Sequence, residues 1–174
     1  MIAIENLDKK LSLRQTRLTA SQTKSLFITI LSNIHSSKLA LIESLPFFSS
    51  MAFAKDVKLL MLESATIING QIIRVCLAKT LLGLSFSGKP PMLNGCLNLK
   101  EFLKEHVNAK CPETDAIILA HLIIAEGIEI DSFKILTGLS KSIKPKDISR
   151  LIALCYKEAK HSKNSLQAML EFYN

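Results

Sequence analysis

The chain has 174 residues, 48% of them apolar and none of them tryptophan, which supplies a sizeable core rich in Leu, Ile and Ala. Its 22 basic and 15 acidic residues leave a formal net charge of +7, a balance that by itself speaks of partners and solubility and not of fold. The longest apolar run, Ala116 to Ala125, is only ten residues with His121 inside it, about half of the ~20 needed to cross a bilayer as a helix, so no membrane span is expected.

The apolar period is helical from the start. Ile4, Leu7, Leu11 and Leu18 fit one helix stripe, and Leu26, Ile30 and Ile34 repeat it. Ser37 reads as the cap of a short helix that stops before Pro46, because a residue preceding proline is pushed out of the α region. Pro46 to Phe53 then reads as a loop or turn carrying three phenylalanines, Phe47, Phe48 and Phe53, which predicts a subunit contact or burial between two halves of the molecule. Asp56 opens a helix that closes at Asn69-Gly70, and another runs from Ile72 to Leu84. Ser87-Gly88-Lys89-Pro90-Pro91 reads as the linker between an amino-terminal half, residues 1–86, and a carboxy-terminal half, residues 92–174. Asn98 with Glu101 has the spacing of a capping box. Pro112 suits a helix first turn, with Glu113 and Asp115 favoured by the dipole, and that helix is expected to end at Gly127. Asp131 and Pro145 start two more helices, and Ser165 caps a last one. No segment alternates as a strand does. The expected fold is all-α, bundle-like, built of two packed helical halves.

Catalytic and metal motifs are weak. Gly83 to Lys89 has the spacing of a phosphate-binding loop, but Pro90 stands where that loop needs a hydroxyl for the metal. Cys111 before Pro112 sits where a helix dipole lowers a thiol pKa, with His106 and His121 nearby in sequence, yet His121 lies in a wholly apolar stretch. Cys96, His106 and Cys111 match no zinc spacing. The acid pairs Glu101 with Glu105 and Glu113 with Asp115 read as solvated helix surface. The reading is therefore a non-enzymatic protein with no cofactor and no metal. The first eight residues carry two acids before any base, unlike a secretory signal, and the four cysteines form no Cys-x-x-Cys pair. A cytoplasmic location, in a host cell if the protein is viral, is the expectation.

Charge is segregated along the chain. Six bases and no acid lie between Lys9 and Ile42, and eight bases against two acids lie between Lys134 and Lys163. Lys10, Arg14, Arg17 and Lys24 fall along one helical flank, Lys38 follows, and Lys141, Lys144 and Lys146 gather at a helix start with Arg150 one turn in. Such clusters suit phosphate. Eighteen Lys to four Arg and few aromatics favour backbone contact over base reading. A short helical chain with this layout is similar in kind to the small RNA-binding proteins of RNA viruses, and that resemblance implies a viral origin. The functional expectation is sequence-tolerant binding of RNA or another polyanion by a homo-oligomer. The alternative is a helical protein–protein adaptor or effector-type module whose basic faces meet an acidic partner.

Overall fold

The computed structural model describes residues 18–84, 101, 103, 104 and 110–173. Among these it is all-helical, as the periodicity predicts: α1 (Ala20–Met51), α2 (Lys55–Leu81), α3 (Pro112–Ser140) and α4 (Asp147–Glu171), with Glu101, Leu103 and Lys104 helical as well. The Ser87–Pro91 linker, the Ile4–Leu11 stripe, Lys10, Arg14, Arg17, Cys96 and His106 lie outside the described residues.

The helices are fewer and longer than the local signals predict. A capping box begins α1: Gln22 N–H donates to Thr19 Oγ1 at 3.2 Å and Thr19 N–H to Gln22 Oε1 at 2.9 Å. The helix then runs through Ser37 and Pro46. Ser37 is buried in mid-helix, and Pro46 forfeits one backbone bond near the helix end, where five further residues follow it. Likewise α2 passes through Asn69-Gly70 and α3 through Gly127. A mid-helix glycine costs about 1 kcal/mol, which burial of the flanking apolar face outweighs. At Gly127 the missing Cβ also makes room, since one built there would sit 3.2 Å from Lys163 Nζ on α4. The real end of α2 is a Schellman motif: Leu84 N–H donates to Lys79 O and Gly83 N–H to Thr80 O, with Gly83 at φ +69°.

Each helix packs on two neighbours in the cyclic order α1, α2, α4, α3, leaving α1/α4 and α2/α3 as the diagonals. Two apolar clusters fill the interior, and both draw on all four helices. One gathers Leu41, Leu45, Phe48, Val57, Ile68, Ile118, Leu122 and Leu166, and the other Phe27, Ile34, Val75, Phe133, Leu136, Ile152 and Ala159. Their membership shows that α1 runs antiparallel to both α2 and α3, and α4 antiparallel to α3. A side chain of α3 ties one end together. Asp115, fully buried, accepts from Phe53 N–H at 2.7 Å, Ala54 N–H at 2.8 Å and the Tyr173 hydroxyl at 2.9 Å. It thus caps α2, whose own Ala54 has no capping oxygen. Reading Asp115 as solvated surface is therefore corrected.

The phenylalanine segment is corrected too. Residues 46–51 are the last turns of α1 and not a loop. Phe48 is 2% exposed within the core, Phe47 packs edge-on to it at 6.1 Å, and only Phe53 is open to solvent. Phe48 is unavailable as an interface residue.

Candidate functional site

Between the two apolar clusters every helix turns a polar side chain inward at the same level. Lys38 falls between Ile34 and Leu41 on α1, and Gln71 between Ile68 and Val75 on α2. Glu126 and Glu129 fall between Leu122 and Phe133 on α3, and Ser162 between Ala159 and Leu166 on α4. All five are buried. Polar residues on a core-facing stripe are the signal that the charge-based reading passed over, because it took each Lys and Glu for surface.

Burial of an ion demands a partner. The Lys38 ammonium finds one in Glu129, with which it forms a salt bridge, and it lies 5.8 Å from the centre of the Phe133 ring. Glu126 has no such cation of its own. Its Oε1 accepts from Ser162 Oγ at 3.0 Å, while Oε2 is buried with no hydrogen-bond partner among the described residues. Burial and then the neighbouring Glu129 charge push its carboxyl up to about 7, against the pull of Lys38 and Ser162. Gln71 donates Nε2–H to Cys155 O at 3.2 Å, and its Oε1 is buried and likewise unpartnered. Burial pushes the adjacent Cys155 thiol up to about 11, so it stays protonated and acts as packing. At the rim, Arg74 Nη1 pairs with Glu158 at 2.8 Å, both half-exposed.

Four-helix bundles build metal and cofactor sites at this level, from side chains on facing helices. Here the donor set does not suit a cation, because Lys38 brings its own charge into the centre and uses one of the two carboxylates. Among the described residues no three His, Cys, Asp or Glu side chains converge as metal ligands would.

The other candidates fare differently. Cys111 is the N-cap residue of α3, and hydrogen bonds from the Thr114 hydroxyl and backbone hold its thiol below the usual range. His121 lies ten residues further along the same helix, about 15 Å away by helix rise, so the two form no pair. A Cys–His contact does occur elsewhere: Cys76 Sγ is 3.3 Å from His35 Nε2. Burial, then Lys79, lowers the His35 pKa, and burial raises that of Cys76 despite Lys79, which favours the neutral forms of both. Of the proposed phosphate contacts, Lys24, Lys141, Lys144, Lys146 and Arg150 are exposed. They gather at one end of the bundle, where α1 begins and α3 gives way to α4. Lys38 is a correction: it is 0% exposed and committed to Glu129, so no phosphate reaches it.

The family model DUF892, described as a domain of unknown function, matches residues 22–173. No curated protein matches the chain. Two solved structures share the fold. The Escherichia coli stress protein YciF is 18% identical over 87% of this chain and 96% of its own, with a TM-score of 0.78. YcfI of Rhodopseudomonas palustris, described as a candidate structural protein, is 20% identical over 88% of this chain and 96% of its own, with a TM-score of 0.75. These matches overturn the expectation of a viral RNA-binding protein, since family and fold point to bacterial proteins of stress and structural description. The charge layout misled because clustered surface lysines also serve solubility alone.

Proposed function

The chain belongs to the DUF892 family, and from that premise we propose that it is a non-catalytic structural protein of a bacterial stress response. The observation that carries the proposal is Lys38 in the centre of the bundle. An ammonium locked onto Glu129 fills the polar layer from within and fixes the register of α1 against α3. Removing either partner strands a buried charge, so the layer acts as a specificity device for one packing arrangement. The remaining reactive groups suit the same reading. Cys155 is buried and protonated, Cys76 and His35 favour their neutral forms, and His121 stands too far along α3 to serve Cys111. The stress description of YciF and the structural description of YcfI agree with it.

Complementation separates this reading from an enzymatic one. A strain lacking the gene, challenged by osmotic and oxidative stress, should be restored by the natural chain and equally by Glu126→Gln or Cys111→Ser. Asp115→Ala, which removes the tie between α2, α3 and Tyr173, should fail to restore it. If folded Glu126→Gln or Cys111→Ser protein does not complement, the chain works by chemistry at that residue and the structural reading falls.

A further inference from the structure

We propose that His35 and Cys76 form a two-coordinate site for a soft monovalent metal ion, Cu⁺, at the seam between α1 and α2. The two residues hold matching places on their helices. His35 follows Ile34 on α1 and Cys76 follows Val75 on α2, and Ile34 and Val75 belong to the same apolar cluster. Each is therefore turned about 100° from a core residue, onto the flank of its helix. Packing of α1 on α2 brings the two flanks together, with Cys76 Sγ 3.3 Å from His35 Nε2 and both residues half-buried. The pair lies outside the polar layer, whose members all face the centre of the bundle.

The donors and their surroundings select the ion. A thiolate with an imidazole is a soft set, and soft ligands choose Cu⁺ over the harder divalent ions. Zn²⁺ calls for four donors, and among the described residues no third His, Cys, Asp or Glu joins this pair. Cu⁺ has a filled d shell and is satisfied by two donors in line. Charge points the same way. Lys79 is 4% exposed, and its ammonium is close enough to act on both groups. Adding positive charge to a half-buried place beside that ammonium is costly. Cu⁺ takes the place of the thiol proton, so thiolate, ion and imidazole together stay neutral. A divalent ion would leave a net positive charge facing Lys79. The fit needs little movement. A metal in line between sulfur and nitrogen holds them roughly 4 Å apart, the sum of two bonds of ordinary length. A small rotation of either side chain opens the present 3.3 Å contact to that spacing.

Anaerobic titration of the reduced natural chain with Cu⁺, in competition with the chelator bicinchoninate, tests this. One equivalent should bind, and X-ray absorption at that loading should show one sulfur and one nitrogen around the copper. Alkylation and mass spectrometry of the same sample should find Cys76 protected while Cys111 still reacts. Zn²⁺ in place of Cu⁺ should leave Cys76 open to alkylation. Cys76→Ser should lose the bound equivalent. His35→Leu should release it at a lower chelator concentration, and the nitrogen should vanish from the absorption spectrum. Both variants should keep the natural helical circular dichroism, since neither position is in the core. Copper that leaves Cys76 reactive, or that is surrounded by sulfur alone, overturns the proposal, because other thiols would then be the ligands. So does a natural chain that yields all its copper to the chelator. Binding unchanged by His35→Leu overturns it as well, since a thiol alone would then suffice.

Discussion

The Glu126 carboxyl makes the stability of this bundle depend on pH in an unusual direction. In the unfolded chain it titrates near 4.5, and in the folded protein at about 7. Between those values the folded state holds a proton that the unfolded state has released, so stability falls as pH rises through the window. The gap corresponds to about 3 kcal/mol of stability, present in full below the unfolded value and lost by pH 8. The groups facing Glu126 are Lys38 from α1, Glu129 on its own helix and Ser162 from α4. Only Lys38 carries a compensating charge, and it is bound to Glu129. Glu126→Gln keeps the shape and an acceptor for Ser162 while abolishing the titration. Urea unfolding at pH 5 and pH 8 should find the variant close to the natural chain at the lower pH and more stable by about 3 kcal/mol at the higher. A difference between the two proteins that stays constant across that range would refute the reasoning, because the Glu126 proton would then play no part in folding.

Lys38→Met leaves Glu129 buried without a cation and should cost about 3–5 kcal/mol in urea unfolding, most of it recovered in Lys38→Met/Glu129→Leu. Asp115→Ala orphans two backbone donors and the Tyr173 hydroxyl and should cost at least about 3 kcal/mol, whereas Tyr173→Phe should cost about 1 kcal/mol. Alkylation followed by mass spectrometry near neutral pH should modify Cys111 before Cys76 and leave Cys155 to last, following thiolate content and access.

The fold class was legible because the apolar spacing in every long segment is three and four, and nothing alternates by two. Helix ends were less legible. Ser37, Asn69-Gly70, Gly127 and Ser165 carry the local chemistry of ends, but each lies within a helix whose apolar face continues on both sides. Packing of Phe27 through Phe48 along α1, or Leu122 through Phe133 along α3, outweighs those local preferences. By contrast, Pro112 marks a true start, where its missing N–H costs nothing. The polar layer was present in the sequence as interruptions of the core stripe: Lys38 after Ile34, Gln71 after Ile68, Glu126 after Leu122. Composition and charge runs hide it, since they count Lys38 with exposed lysines and Glu126 with exposed acids. Only the assembled helices show that these interruptions share one level. Asp115 was hidden for a similar reason, as its three hydrogen-bond donors come from residues about sixty positions away.

The claim that this bundle closes its centre on itself is tested most directly by calorimetric titration of the natural chain with Mn²⁺, Zn²⁺ and, without oxygen, Fe²⁺ at pH 7.5. The account predicts no saturable binding at the polar layer and no rise in melting temperature with metal, because Lys38 already holds Glu129. Micromolar binding that Glu126→Gln or Glu129→Gln abolishes would show the layer to be an open metal site and contradict the account.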